Sequence, residues 1–555
     1  MLPALLPKLL PAEEHWIALK SGPFEVFSSI GERPARERLM FLEQFRETLR
    51  VITGKEDMRL VWPVHALVSK GAQEETKPFA LGRDARMIAI TESGGFSRDS
   101  LKELARILLH DNTNRLPQSV EEGLIELVST LQIDGVRVTL GAPVPQAERS
   151  PRWALMHLVT VNPEYAGRSR VMISNLEQTN DFEAACHNAF EKSGAQIQQQ
   201  ADAYLKAGSF GTTSISGRAL SMTRDFKPVQ LGSDDARIEL ADLLLASGHA
   251  AEASAAYKGL QGPAASEGLA LIALRDQKDN EAQSALQDAI DSGSKSARAW
   301  LELARLKSDP DQLKKASELN PRWGEPFFQL ADINPAIEKQ QLEQRAALLK
   351  KAAALDPRNP DYWQALAKTY EVAKDFAEAQ KAWSGAERAA ATDEERERLR
   401  KVRLEVQEKR FDSDAAERKR IRDEREADLA RVKAQSEAAI HAAEAAARKN
   451  MNPNGAVPPK PEAWYAAADA AGPSVQGTFQ QLDCLSQGAR LVIQTVDGKT
   501  VQLLMSDPSQ ITTGGGDQTL SCGPQKPARQ VIVRYNAKPD AKLHTAGVVT
   551  AIEFH

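Results

Sequence analysis

DYWQALAKTYEVAKDFAEAQKAWSGAERA, residues 361–389, reads as two helices joined by a short polar turn. Trp363, Leu366 and Tyr370 recur at three- and four-residue spacing, which puts them on one face of the first helix. Ala379, Ala382 and Trp383 do the same on the second. Alanines let two helix axes approach closely, and the rings fill the space beside them. Such a pair cannot bury its apolar stripe alone. It needs neighbours of its own kind.

Those neighbours lie upstream. LNPRW (319–323) and LDPRN (355–359) each precede a helical stretch, and Pro321 and Pro357 stand 36 residues apart. ARIELADLLLASGHAAEASAAYKGL (236–260) is another alanine-rich pair, and 264–294 and 296–319 read as irregular copies. The pattern resembles the tetratricopeptide repeat, whose period is about 34 residues. The resemblance makes Trp363, Leu366, Tyr370, Ala379, Ala382 and Trp383 anchors between helices. It implies a solenoid whose concave groove takes a protein or peptide partner.

The 555 residues make room for about three to five domains. With 42% hydrophobic and 26% charged residues, most of the chain can bury cores. Lys+Arg is 71 against 76 Asp+Glu, so no basic excess points to nucleic acid. Mean hydropathy is −0.42, and no apolar run approaches the ~20 residues of a membrane-spanning helix. Three cysteines exclude a disulfide-dense miniprotein and multi-cysteine zinc modules.

Residues 1–12 combine leucines with Pro3, Pro7, Pro11 and Lys8, too broken for the apolar core of a secretory signal. They are expected to be a tail, or the remnant of a signal starting upstream. An upstream signal would place the chain in the periplasm or outside the cell; otherwise it is cytoplasmic. Residues 13–230 mix strand and helix signals, an α+β domain. WIALKSGPFEVFSSI, MRLVWPVHALVS, ARMIAITES and GVRVTLGAPVP alternate as strands do. ERPARERLMFLEQFRETLRVI, with Leu39, Phe41, Leu42, Phe45 and Leu49 at helical spacing, is a helix. DSLKELARILLHD is another, with Asp99 or Ser100 as N-cap.

Residues 231–392 are the all-α repeat array, and 393–450 a long charged helix. Glu394/Arg398, Glu397/Lys401 and Glu405/Lys409 are candidate i,i+4 pairs on it. Leu399, Val402 and Val406 form an apolar seam that does not persist over three or four heptads, so the segment reads as a single long exposed helix, with a coiled coil as the alternative. Residues 451–472 are a Pro-rich linker, and 473–555 a small all-β barrel or sandwich with a hairpin turn at Asp497-Gly498. Cys484 and Cys522 share that domain. They suggest a disulfide, which persists in oxidising compartments, with two reduced buried thiols as the alternative.

LKELARILLHDNTNRLPQSVEEGLIEL (101–127) bears on chemistry. It resembles the zinc-helix region of peptidase-MA-like gluzincins fused to tetratricopeptide repeats in bacterial extracytoplasmic proteins. In that family a His-Glu-x-x-His helix, a Leu-Pro loop and a second helix carrying a Glu build the site. The spacing has a physical reason: residues at i and i+4 share a helix face and reach one metal. Here the histidine positions hold Lys102 and Arg106. Glu103, at the base position, and Glu122, at the third-ligand position, are kept. The resemblance extends to Leu116-Pro117, to Glu122-Gly123-Leu124 and to Trp153-Ala154-Leu155-Met156-His157.

Guanidinium donates no lone pair, and catalytic zinc normally takes three protein ligands. The expectation is a degenerate site without metal or cofactor, a pseudopeptidase. Lys102 and Arg106 are expected to pair, with Glu122 above all, and to hold the helices together. An active metallopeptidase using His110 and Glu122 is one alternative. A cell-envelope ligand binder acting through the β domain is another. His157 is expected to be a packed core residue. GSFGTTSISG (208–217) and TTGGGD (512–517) lack the Lys-Ser/Thr ending of a phosphate loop and read as turns.

Overall fold

The computed structural model describes residues 15–70, 77–92, 94–135, 137–216, 226–333, 338–449, 473–485, 488–506, 512–514 and 522–554. The tail 1–12 and the linker 451–472 lie outside them. The chain divides into two compact units, Met1–Asp428 and Leu429–His555.

The first unit opens with β1 (Ile17–Ser21) and β2 (Phe24–Ser28), an antiparallel pair turning at Gly22, whose φ is +50°. Helix α1 (Glu32–Thr53) then crosses to β3 (Val64–Ser69), which pairs parallel with β2, as a crossover helix allows. The short β4 (Ala80–Leu81) and β5 (Arg86–Thr91) follow. With β9 (Val229–Gln230) these strands make one sheet, in the order β4-β5-β3-β2-β1-β9. Leu39, Leu42, Phe45 and Leu49 of α1 are buried as their spacing requires, while Phe41 is half-buried and stacks on Phe96 at 5.2 Å. The expected strand in MRLVWPVHALVS starts only after Pro63, which has no N–H to give a ladder.

Helices α2 (Arg98–Asn112) and α3 (Gln118–Val128) come next, then β6 (Gln132–Asp134) and β7 (Arg137–Leu140). Helices α4 (Pro151–Val161), α5 (Ser169–Thr179), α6 (Phe182–Phe190) and α7 (Gly194–Ala207) lead to β8 (Thr213–Ser216). Two expectations are corrected here. The N-cap of α2 is Ser97, whose Oγ accepts from Ser100 N at 3.2 Å; Asp99 falls inside the first turn, where the helix dipole favours a carboxylate. And TSIS in GSFGTTSISG is a strand paired with β7, because two β-branched residues in four suit an extended ladder.

The array comprises α8 (Ser233–Ala246), α9 (Ala250–Lys258), α10 (Pro263–Arg275), α11 (Asp279–Asp291) and α12 (Ala297–Lys307). It continues with α13 (Pro310–Leu319), α14 (Glu325–Ile333), α15 (Lys339–Leu355), α16 (Pro360–Val372) and α17 (Phe376–Ala389). Each packs on its successor through buried alanines and a few large side chains. Leu366, Ala379, Ala382 and Trp383 are buried in one cluster, with Trp363 and Tyr370 half-buried at its edge.

Helix α18 (Asp393–Lys449) follows. Leu399 and Val406 are buried in the Trp383 cluster, with Val402 packed beside them. The expected i,i+4 pairs give way to others. Glu397 pairs with Arg400, Arg400 and Arg403 both reach Glu387 on α17, and Lys409 reaches Glu371 on α16. Once the seam packs, carboxylates of neighbouring helices lie nearer than those a turn away.

The second unit holds β10 (Ser474–Cys484), β11 (Ala489–Thr495), β12 (Thr500–Met505), β13 (Thr512–Gly514), β14 (Gly523–Asn536) and β15 (Val548–Phe554). They form one sheet ordered β12-β11-β10-β14-β15-β13, with a further β12–β15 pairing. Phe479, Leu491, Ile493, Leu503 and Val533 fill its core. The TTG of TTGGGD, expected as a turn, is β13, because its backbone completes a parallel ladder on β15. Gly515, Gly516 and Asp517 lie outside the described residues.

Candidate functional site

Helices α2 and α3 place the four residues singled out in the sequence. Leu101, Leu104, Ala105 and Leu108 of α2 are buried, which leaves 102, 103 and 106 on its outer side. Val120, Leu124 and Leu127 bury the opposite side of α3. Gly123 brings α3 close to α4: a Cβ there would stand 2.2 Å from the Arg152 carbonyl oxygen.

Arg106 joins three of the four. Its Nη1 donates to Glu103 Oε2 at 2.7 Å, and its Nη2 to Glu122 at 3.3 and 3.4 Å from the two oxygens. Burial works against the guanidinium charge, but hydrogen bonds and attraction from Glu103 and Glu122 outweigh it, so its pKa rises above the ordinary value. Lys102 does not join. It donates to Asp99 Oδ1 at 3.0 Å, one turn back on its own helix. The expected Lys102–Glu122 pair is therefore corrected: a carboxylate at i−3 is within reach, while Glu122 already faces a two-armed guanidinium.

The donor set decides the metal question. Arg106, whose nitrogens carry no free lone pair, stands between the two carboxylates, and Lys102 is in an ion pair. Zinc does not fit these residues. His110 Nδ1 lies 3.2 Å from Asp111 Oδ1, whose carboxylate also takes Val61 N–H at 2.8 Å. No group of three metal-ligating side chains occurs among the described residues.

His157 is fully buried between Trp153 and Tyr204; its ring nitrogens lie 3.1 Å from Gly141 O and 3.1 Å from the Tyr204 hydroxyl. Burial lowers its proton affinity, so it stays neutral. Cys186 is buried too, its thiol pushed up to about 12 by burial, which removes the thiolate a nucleophile needs. Cys484 and Cys522 form a disulfide.

A groove crosses α14, α15 and α16, with a volume of about 550 Å³. Phe328 and Leu342 give it apolar contact, and Asp332, Arg345, Gln364 and Lys368 polar sides. The anchors Trp363 and Trp383 spend their indole N–H groups inside the array, on Pro357 O at 3.1 Å and Glu371 Oε1 at 2.8 Å. They build the groove rather than bind in it.

The turns between repeats act in a way the sequence does not announce. Ser296 Oγ donates to Asp84 at 2.6 Å and Arg298 to Gly82 O at 2.6 Å. Asn320 donates to Val61 O at 3.0 Å, and Trp323 meets Trp62 edge-on at 5.0 Å. Arg358, in LDPRN, is buried on Glu121 Oε1 at 2.7 Å, Thr113 O at 2.9 Å and Thr113 Oγ1 at 2.6 Å. Arg115 Nε donates to Ala389 O at 3.0 Å. Three alternate turns of the array, α11–α12, α13–α14 and α15–α16, and the end of α17 thus dock on the α+β domain. The arginine in LDPRN was the available signal, since it is no repeat anchor yet sits in a tight turn.

No protein-family profile matches the chain, and no curated protein matches it. Solved structures similar to part of it include MamA, at 18% identity over 27% of this chain and 94% of that one, with a TM-score of 0.24. Pseudomonas aeruginosa PilF is similar at 18% identity over 32% of this chain and 86% of its own, TM-score 0.27. YrrB, described as a TPR protein with an unusual peptide-binding site, is similar at 19% identity over 30% and 90%, TM-score 0.25.

Proposed function

We propose that this chain is a non-catalytic interaction scaffold. Its helical repeats hold an extended peptide segment of a partner protein, and its α+β domain is a peptidase-like fold that carries an ion pair where zinc chemistry would be. The observation that carries the reading is the open groove over α14–α16. An extended peptide presents alternating side chains and unpaired backbone groups. Phe328 and Leu342 suit the first, and Gln364, Lys368 and Asp332 the second. The tetratricopeptide character rests on the anchors of α16 and α17 and the 36-residue spacing of Pro321 and Pro357.

An array of immobilised 15-residue peptides (about 50 Å extended) tests the groove. The wild-type chain retains a subset. Lys368→Glu with Val372→Glu, both solvent-facing, weakens that subset at least about tenfold at unchanged helicity. A wild-type chain that retains nothing, or a double variant that binds equally, defeats the groove reading. The peptidase-like reading has its own test. Lys102→His with Arg106→His gives two imidazoles at i,i+4 beside Glu122, and calorimetry should show zinc affinity gained. A folded double variant without it means that α2 is not a former zinc helix, as would stoichiometric zinc in the natively purified wild type.

A further inference from the structure

The loop at 113–117 and helices α15, α16 and α17 enclose a separate cavity of about 310 Å³. Its walls divide by chemistry. Ala353, Pro357 and Trp363 give it an apolar lining, and Arg115 and Arg388 a cationic one. Gly385 keeps it open beside the indole, where a Cβ would stand 2.4 Å from the Trp363 ring.

The two guanidiniums carry ten N–H donors. Among the described residues the protein accepts one of them, from Arg115 Nε to Ala389 O, and neither arginine has a carboxylate within ion-pair distance. Four acids attract them from farther off, and each has nearer partners: Glu121 has Arg358 at 2.7 Å, Glu387 has Arg400 at 3.0 Å and Arg403 at 2.7 Å, Glu395 takes Ala391 N–H at 3.0 Å, and Asp356 takes Arg358 N–H at 3.2 Å. Burial weakens the hold of Arg115 and Arg388 on their protons, and for Arg115 repulsion from Arg358 adds to it. The C-terminal ends of α15 and α17 also face this region, but each brings only about half a negative charge, against two full positive ones. Arg388 reaches solvent, so the cavity has an entrance.

We propose that this cavity binds a carboxylate carrying a small apolar group, the carboxylate spanning Arg115 and Arg388 and the apolar part lying against Trp363, Ala353 and Pro357. A planar carboxylate matches the guanidinium fork, and bidentate pairing of this kind is both strong and directional. A free small organic acid and the C-terminal residue of a peptide share that chemistry. The site is separate from the groove over α14–α16 and does not depend on it.

Calorimetry on the full chain decides, with hexanoate, hexanamide, and Ala-Ala-Leu as free acid and as amide. An acid should bind, and its neutral counterpart should be weaker by about tenfold or more, the effect of losing a charge-assisted hydrogen bond. Arg388→Gln, at a solvent-facing position, should lower acid binding by a similar factor without changing helicity, and Arg115→Ala should do the same. Binding of hexanoate alone identifies a free acid as the ligand class; tighter binding of the tripeptide acid identifies a chain terminus. Failure of both acids to bind at tens of millimolar overturns the proposal, and so does binding unaffected by Arg388→Gln.

Discussion

Arg358 and Arg106 are both arginines that join two elements, yet burial separates their energetic weight. Arg358 is 3% exposed, with Glu121, Thr113 and the Asn114 carbonyl around its fork. Removing a buried partner leaves a charge unpaired, so Arg358→Met should cost about 3–5 kcal/mol in urea unfolding. Arg358→Lys should recover only part of it, because an ammonium cannot reproduce the fork. Equal stability of Arg358→Met and wild type would mean that the contact forms without holding the array. Arg106 is 42% exposed and Glu122 28% exposed in their side chains, so water screens their pair. Arg106→Ala should cost at most about 1 kcal/mol, and a double-mutant cycle with Glu122→Gln should return a coupling below that figure. A coupling of several kcal/mol would mark the pair as the main link between α2 and α3, instead of the buried leucines.

Elements were legible wherever their signal is local. The α16–α17 pair, α1 and the β1–β2 hairpin are read from three- to four-residue or alternating periodicity, because burial on one face leaves that imprint within ten residues. The α2–α3 cluster was legible as far as its donor chemistry, which needs only residue types. Its partner choice was not. Whether Lys102 turns to Asp99 or Glu122 depends on which carboxylate lies nearer in space, and that is a tertiary fact. The same holds along α18, where local pairing gave way to Glu387 and Glu371 on neighbouring helices. Its first turns carry stability and its later ones do not. Leu399 is 1% exposed beside Trp383, whereas Ile421 is 52% exposed. Leu399→Ala should therefore cost about 2–5 kcal/mol in chemical denaturation, and Ile421→Ala should stay within about 0.5 kcal/mol of wild type. Equal losses from the two would show that α18 gains its stability along its whole length and not from the seam.

At the scale of the molecule, the docked turns make the α+β domain and the array one body in the first unit, and where the first helices of the array, α8 and α10, meet that domain the contact is ionic. His65 Nδ1 on β3 lies 2.8 Å from Glu239 Oε2 on α8, with Glu25 at 3.9 Å from its other nitrogen. Arg83 reaches Asp84 at 2.7 Å, Glu267 on α10 at 2.5 Å and Asp242 on α8 at 3.4 Å. The Tyr257 hydroxyl donates to Asp242 at 2.5 Å and Ser294 to Glu267 at 2.5 Å. Three carboxylates, Asp84, Asp242 and Glu267, thus share Arg83, and two more, Glu239 and Glu25, share one histidine. Burial, with Arg83 only partly offsetting it, pushes the Asp242 carboxyl up to about 6 and raises Glu267 as well. For His65 burial opposes the charge, but attraction from Glu239 and Glu25 prevails and raises its pKa. All three shifts have one sign: between the ordinary and the raised values the native state binds more protons than the unfolded chain. Stability from these groups is full below the unfolded values and is lost as pH rises through the folded ones. Asp242→Asn removes one such group while leaving Arg83 with Asp84 and Glu267. The stability of the wild type minus that of Asp242→Asn, from urea unfolding, should therefore be smaller at about pH 8 than at about pH 5. A difference that stays constant between those pH values would mean that Asp242 is ionised throughout and acts as an ordinary ion-pair partner of Arg83.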